Sequence, residues 1–159
     1  MDIKFIVAAT RKIPEAGLLL LRDKFELKVS PKARVLKPAE LLGFVKGAHA
    51  ILSQLTDKID GKVLDAAGPQ LKIVANYAVG FDNIDLEAAR KRKVIVTNTP
   101  GVLTEAVAEH AFALLMSAGR RVAESDKFVR AGKYKGWEPE LLLGQELMGK
   151  TLGILGLGR

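Results

Sequence analysis

The fold is decided by residues 72–97, KIVANYAVGFDNIDLEAARKRKVIVT. Two apolar runs rich in β-branched residues, Lys72–Tyr77 and Val94–Thr97, enclose a short segment with helical periodicity, from about Asp85 to Lys91. Nearly continuous apolar strands joined by a helix are typical of parallel strands that are covered on both faces. We therefore predict a β-α-β unit of a parallel sheet here.

The same alternation of strand and helix patterns extends upstream. Strand-like runs and helix-period segments follow one another at Ile3–Ala8, Pro14–Asp23, Phe25–Ser30, Pro38–Lys46, Ala50–Ser53 and Gly61–Ala66. Such alternation implies a parallel sheet with helices on its faces. We predict an α/β domain over residues 1–100, ended by the break at Pro100-Gly101, where proline fixes φ and glycine permits a turn.

Residues 101–159 have a different pattern and are predicted to begin a second domain. Thr104 is placed to act as the N-cap of a long amphipathic helix, whose apolar residues recur at helical spacing to about Arg130. A polar and aromatic arm with the only tryptophan, Trp137, follows the helix. The last predicted element is a strand over Thr151–Gly156.

Composition limits the classes of protein to which the chain can belong. Hydrophobic residues make up 48% and charged residues 27% of the sequence, as in globular proteins. The absence of cysteine and of a leader pattern before the first strand leads us to expect a cytoplasmic protein. No apolar stretch approaches the roughly 20 residues of a membrane span. The net charge is +7, but the basic residues are scattered, so we expect neither a nucleic-acid nor a membrane partner.

The chain closes with Gly156-Leu157-Gly158-Arg159 directly after the last predicted strand. These residues match the first half of the motif G-x-G-x-x-G. The first glycine of that motif permits a tight turn, and the second lets the backbone approach the pyrophosphate of a dinucleotide. On these four residues alone, an ordinary glycine-rich turn is the alternative.

Three segments resemble the D-isomer-specific 2-hydroxyacid dehydrogenase family. They are residues 76–85 (NYAVGFDNID), residues 96–111 (VTNTPGVLTEAVAEHA) and the closing glycine-rich strand, in this order. The resemblance covers essentially the whole chain and is strongest to glyoxylate or hydroxypyruvate reductases. It implies a flavodoxin-like, substrate-side domain over residues 1–100. It implies that residues 101–159 form an interdomain helix, a dimerisation arm and the first strand of a Rossmann domain.

The resemblance also implies an activity, a cofactor and site residues. The expected reaction is reduction of a small 2-oxo acid to a D-2-hydroxy acid by hydride transfer from NADH or NADPH. Backbone N–H groups of Val79 and Gly80 are expected to bind the substrate carboxylate. Thr104 and the residues Gly156, Leu157, Gly158 and Arg159 are expected to contact NAD or NADP. The Arg, Glu and His of the family's catalytic machinery lie beyond Arg159, so we expect no catalytic residue here, an inactive chain on its own and a homodimer when complete.

Each assignment has an alternative when the residues are considered alone. Gly80 could only support a turn, and Thr104 could only cap its helix. His49 and His110 are isolated, without partners at ligand spacing, so we assign them neither chemistry nor a metal. A D-3-phosphoglycerate dehydrogenase and a non-catalytic dinucleotide-sensing or dimerisation module are the functional alternatives. The sequence leaves open which 2-hydroxy acid is used, whether the cofactor is NAD or NADP, and whether 159 residues is the natural length.

Overall fold

The computed structural model describes residues 4–156 and residue 158. The strands of this part of the chain are β1 (Ile6–Ala9), β2 (Glu26–Val29), β3 (Ala50–Gln54), β4 (Ile73–Tyr77) and β5 (Ile95–Thr97). The helices are α1 (Glu15–Arg22), α2 (Pro38–Phe44), α3 (Gly61–Ala67), α4 (Leu86–Lys91), α5 (Thr104–Gly119) and α6 (Val122–Arg130). The chain forms two compact units, Met1–Gly101 and Val102–Arg159. In the described residues no helix is long and apolar enough to cross a bilayer.

The first unit is built on a parallel sheet with the strand order β2-β1-β3-β4-β5. Each neighbouring pair of strands is parallel, and Val74 of β4 lies opposite Ile51 of β3 and Val96 of β5. The predicted α/β fold is confirmed, including the β4-α4-β5 unit that residues 72–97 indicated. β1 begins at Ile6, and the predicted start of this strand at Ile3 lies outside the described residues.

The core lies on one face of this sheet. Alternate strand residues, such as Ala8, Ile51 and Val74, are fully buried against apolar side chains of α2, α3 and α4. Burial of a side chain the size of Ile51 contributes about 1.5–3 kcal/mol. The packing of these helices follows from the period-2 pattern of the strands, which directs one set of side chains to a single face.

The opposite face of the sheet is covered less completely than we predicted. An apolar groove of about 380 Å³ runs along this face, with Leu21 of α1 on one side and Ile73 of β4 among its lining residues. Further along, the side chain of Ile95 is 61% exposed. Among the described residues, therefore, β4 and β5 are covered on one face only.

Aspartates begin the two helices that follow β3 and β4. The Asp60 carboxylate accepts hydrogen bonds from the N–H groups of Lys62 and Val63, at 3.0 and 3.2 Å. The Asp85 carboxylate accepts from Ala88 N–H at 2.8 Å, so Asp85 is the N-cap of α4. These caps satisfy N–H groups that have no partner within the helix, and so they fix where the preceding loops end.

The predicted long helix of the second unit is two helices. α5 ends at Gly119, and Arg121 adopts a left-handed conformation (φ 54°, ψ 34°) before α6 begins. The Arg121 carbonyl accepts a hydrogen bond from Ser125 Oγ at 2.8 Å, and its guanidinium donates to Glu124 at 2.7 and 2.8 Å. Apolar residues continue at helical spacing across the break, which is why their periodicity alone predicted a single helix.

Two other predictions for the second unit are wrong. The N-cap of α5 is Leu103 (φ −110°, ψ −5°), and Thr104 is the first helical residue, with no side-chain capping bond. The segment Thr151–Gly156 is not a strand. A strand needs a neighbour that accepts and donates its backbone hydrogen bonds, and the described residues of this unit contain no other strand.

Candidate functional site

The candidate substrate site is the loop of residues 78–81, which follows β4 and carries Val79 and Gly80. Because the strands are parallel, this loop lies at the same edge of the sheet as the residues that follow β1, β3 and β5. Ligands of open α/β sheets bind outside the carboxyl ends of the strands. The topology therefore places both predicted substrate-binding residues at the edge where a ligand is expected.

Three successive carbonyl groups of this candidate loop accept hydrogen bonds from the protein. The pairs are Thr99 N to Ala78 O at 2.9 Å, Asn98 Nδ2 to Val79 O at 2.7 Å, and Asn76 Nδ2 to Gly80 O at 2.9 Å. Among the residues that the structure describes, the N–H groups of Val79 and Gly80 have no acceptor. The loop thus uses its carbonyl oxygens internally and leaves adjacent N–H donors available, an arrangement that suits an anion.

Glycine at position 80 is not required by the backbone. Gly80 does not adopt a left-handed φ, and an added Cβ atom would meet only Asp82 Oδ2, at 3.8 Å. That separation is an ordinary van der Waals contact. A side chain would therefore fit this turn, so neither backbone conformation nor local packing explains a glycine at this position.

Buried polar side chains lie at the ends of the strands around the loop. Thr10, Asp57 and Asn76 are each no more than 2% exposed. The Asp57 carboxylate accepts hydrogen bonds from the Thr10 hydroxyl and from Gln54 N–H. We did not single out these residues from the sequence. A usable signal was present for Asn76, because it lies two residues after the buried Val74 and so falls on the same face of β4.

Unused donors collect at the neighbouring loops of β1 and β3. The guanidinium of Arg11 donates to Thr56 Oγ1 at 2.8 Å. Two buried nitrogen atoms, Arg11 Nε and Gln54 Nε2, have no partner among the described residues. Apolar surface adjoins them, since the side chain of Leu55 is 64% exposed. This edge of the sheet combines a positive charge, free donors and an apolar side chain.

The expected cofactor-binding residues belong to the second unit. Gly156 has a φ of 92°, which is unfavourable for other residues and is typical of a tight glycine turn. An added Cβ atom at Gly156 or Gly158 would meet no atom of the described residues within 4 Å. Thr104 is exposed, and its hydroxyl is not used as a cap. Leu157 and Arg159, the other two expected contacts, lie outside the described residues.

The two histidines belong to different units of the chain. His49 precedes β3, at the opposite edge of the sheet, where its Nδ1 accepts a hydrogen bond from Ile6 N–H at 3.1 Å. Its ring packs edge to face on Phe5, with 5.1 Å between the ring centres. His110 is an exposed residue of α5. Within the described part of the chain, no three His, Cys, Asp or Glu residues come together as a metal site.

Comparisons with known proteins agree on one family. The family described as D-isomer specific 2-hydroxyacid dehydrogenase, catalytic domain, matches residues 7–146. A glyoxylate reductase of Pyrococcus furiosus is 50% identical over 157 residues, with coverage of 96% of this chain and 46% of that protein. The chain therefore spans about half the length of the curated relatives it matches.

Solved structures agree in fold. A Polaromonas protein assigned to the D-isomer specific 2-hydroxyacid dehydrogenases, NAD-binding, has a TM-score of 0.90 at 38% identity, over 99% of this chain and 49% of that one. An NADPH-dependent glyoxylate/hydroxypyruvate reductase of Sinorhizobium meliloti, solved in complex with NADP and malonate, has a TM-score of 0.75 at 31% identity. That comparison covers 98% of this chain and 47% of the reductase.

Proposed function

The chain belongs to the D-isomer specific 2-hydroxyacid dehydrogenase family, and from this premise we propose that it forms the substrate-side portion of a 2-oxo acid reductase. The proposed substrate is a small acid of the glyoxylate or hydroxypyruvate type, and the product is a D-2-hydroxy acid. In this assignment residues 1–100 are the substrate-side domain. Residues 101–159 are the interdomain helix, the dimerisation arm and the beginning of the nucleotide-binding domain.

The observation that carries this proposal is the backbone hydrogen bonding of the candidate loop. Its carbonyl oxygens are occupied by protein donors, while the N–H groups of Val79 and Gly80 are free to donate to a carboxylate. Hydrogen bonds from N–H groups to a carboxylate are shorter and stronger than those between neutral groups. Because glycine has no side chain, the space beside Gly80 stays open for a carboxylate to reach the N–H groups of Val79 and Gly80.

The residues that close the chain fit a dinucleotide. When bound, the nicotinamide ring of NADH or NADPH supplies the hydride that adds to C2 of the oxo acid, and a proton completes the hydroxyl group. We propose that Gly156 and Gly158 let the backbone approach the pyrophosphate, as the first two glycines of the motif G-x-G-x-x-G do. Thr104, Leu157 and Arg159 complete the proposed set of cofactor contacts. We assign no catalytic residue to this chain, and its relatives are about twice as long, so we expect it to be inactive on its own.

The proposal of a homodimer is based on exposed apolar residues of the second unit; the alternative is that the half of the relatives' length that this chain does not span covers them. None of the residues of α5 is buried, and this helix exposes Phe112 and Leu114, which are 62% and 58% accessible. In the following arm, Trp137 is 81% exposed. A symmetric dimer buries the same patch from both subunits and leaves no open apolar edge. We propose that these residues contribute to a two-fold interface in the complete enzyme.

Steady-state kinetics of the complete enzyme test the proposed function. We expect oxidation of NADH or NADPH to depend on glyoxylate or hydroxypyruvate, and the product of hydroxypyruvate to be the D isomer. The 159-residue chain, assayed in parallel, should show no turnover. A strong preference for a phosphorylated 2-oxo acid would favour a phosphoglycerate dehydrogenase instead. Binding of dinucleotide without oxidation by any 2-oxo acid would favour a non-catalytic module.

A further inference from the structure

We propose that Asn98 is a positioning residue for substrate binding, because it sets the direction of the Gly80 N–H group. This inference rests on the proposed function, in which that N–H group donates to the substrate carboxylate. Asn98 follows β5 and lies 19 residues after Val79 in the sequence, and its side-chain nitrogen donates to Val79 O at 2.7 Å. From the sequence we predicted a break at Pro100-Gly101 and a family resemblance over residues 96–111, but no role for Asn98.

The physical reason lies in the planarity of the peptide bond. In a trans peptide, the carbonyl group of one residue and the N–H group of the next lie in one plane and point in opposite directions. The bond from Asn98 fixes the carbonyl of Val79, and it therefore fixes the N–H of Gly80. The Gly80 donor is aimed away from Asn98, with its orientation set before any ligand arrives.

The neighbouring donor is held by the same short segment. Thr99 N–H donates to Ala78 O at 2.9 Å, which fixes the peptide plane that contains the Val79 N–H. Both donors of the candidate loop are thus oriented by Asn98 and Thr99, two consecutive residues after β5. No other described residue donates a hydrogen bond to either of these two carbonyl groups.

The segment that provides these bonds has a restricted backbone. A residue before proline is confined to extended conformations, so Pro100 limits Thr99. On the other side, β5 is paired with β4, and Thr97 lies opposite Ala75. Asn98 is half-buried, between the sheet and the proline. A donor group on such a segment can hold the loop at little cost in conformational entropy, because most of the segment's freedom has already been lost.

The test compares two variants of Asn98 with a distant control in the complete enzyme. Asn98→Ala removes the donor, and Asn98→Asp keeps the shape but places a carboxylate oxygen beside the Val79 carbonyl. The control, Gln70→Ala, also removes a side-chain amide that donates to a backbone carbonyl, that of Ala48 at 3.3 Å, but Gln70 precedes β4 and lies at the opposite edge of the sheet from the candidate loop. Melting temperatures of all three proteins are measured alongside the kinetics.

We expect the KM for the 2-oxo acid to rise about ten- to hundredfold in both Asn98 variants, as for loss of one hydrogen bond to a charged group. The rise should be larger for Asn98→Asp, because two oxygen acceptors would then face each other. The KM for the nucleotide should stay within about twofold of wild type, because a positioning role predicts no change in cofactor binding. Gln70→Ala should keep both constants near wild type. If Asn98 served only the fold, its variants would have a lower melting temperature, but the KM for the 2-oxo acid would not rise relative to the KM for the nucleotide.

A second measurement covers the case in which the Asn98 variants do not fold. In the ¹⁵N-labelled 159-residue wild type, oxalate is added as a dicarboxylate analogue of the substrate. The Gly80 N–H and the Asn98 side-chain N–H resonances should shift together. Asn98 donates to the Val79 carbonyl, which lies in the same peptide plane as the Gly80 N–H. A shift of Gly80 without any shift of Asn98 would overturn the proposal.

The outcomes separate this inference from the proposed function. If wild-type enzyme reduces a 2-oxo acid and the Asn98 variants keep its KM within about twofold, the positioning role is wrong and the function stands. The same conclusion follows if Gln70→Ala raises that KM as much as Asn98→Ala does. If the wild type reduces no 2-oxo acid and oxalate leaves Gly80 unshifted, the proposed function itself fails.

Discussion

Replacement of Gly80 by alanine should weaken substrate binding without weakening the fold. The backbone at Gly80 is not left-handed, and the new Cβ atom would lie 3.8 Å from Asp82 Oδ2, so the folded state accommodates it. Alanine restricts the unfolded chain more than glycine does, which stabilises a compatible site by about 0.4–1 kcal/mol. We therefore expect the melting temperature of Gly80→Ala to be unchanged or a few degrees higher.

The effect on binding should have the opposite sign. A methyl group at position 80 occupies the space through which a carboxylate reaches the Val79 and Gly80 N–H groups. Loss of one hydrogen bond to a charged group costs about 1.5–3 kcal/mol. This free energy corresponds to a rise of about ten- to hundredfold in the KM for the 2-oxo acid. The KM for NADH or NADPH should remain unchanged, because the proposed nucleotide contacts lie at other residues.

A glycine in α2 provides the matched control. Gly43 is exposed, an added Cβ atom there would meet nothing within 4 Å, and its φ is not left-handed. Gly43→Ala should also stabilise the protein, because alanine is the better helix former, but it should leave both KM values unchanged. If Gly80→Ala keeps its KM for the oxo acid, the loop does not hold the carboxylate. If the melting temperature of Gly80→Ala falls sharply, the glycine is required for the conformation of the turn.

Three further predictions concern other parts of the chain. The Arg34 guanidinium holds the pKa of the Glu40 carboxyl below its usual range, so this pair stabilises the fold above the unfolded pKa of about 4.3 and loses that contribution as the pH falls. The free energy of unfolding of Glu40→Gln should therefore depend less on pH below about pH 4.3. An unchanged pH dependence would show that the Arg34–Glu40 pair does not stabilise the fold. An added Cβ atom at Gly144 would lie 2.6 Å from a backbone oxygen of α5, whereas at Gly153 it would meet nothing. Thermal denaturation should show that Gly144→Ala destabilises the second unit by about 1–3 kcal/mol and that Gly153→Ala does not. Trp137→Glu should shift the complete enzyme from dimer toward monomer in sedimentation, and a tight dimer after this change would show that the arm is not at the interface.

The parts of the fold that could be predicted from the sequence are those determined by near neighbours. The strands β4 and β5 follow from apolar runs. The N-cap of α4 follows from an aspartate, Asp85, three residues before Ala88, whose N–H group donates to it. The break at Arg121 could not be predicted in this way, because the helical spacing of apolar residues continues across it. The segment Thr151–Gly156 shows a further limit. Its apolar pattern is that of a strand, but strand formation depends on a partner that the described residues of its unit do not contain.

In the candidate site, too, local features could be predicted from the sequence and contacts between distant residues could not. Val79 and Gly80 could be located from a motif of ten consecutive residues, whereas the bond that orients Gly80 joins the ends of two strands and becomes visible only when β5 is placed beside β4. In a parallel sheet, the loops that leave adjacent strands lie at one edge, where they can satisfy each other's carbonyl groups. The bonds to Ala78 O and Val79 O come from the neighbouring loop in this way. We propose that these bonds orient the following N–H groups as a donor pair for an anion, and that glycine at position 80 keeps that pair accessible.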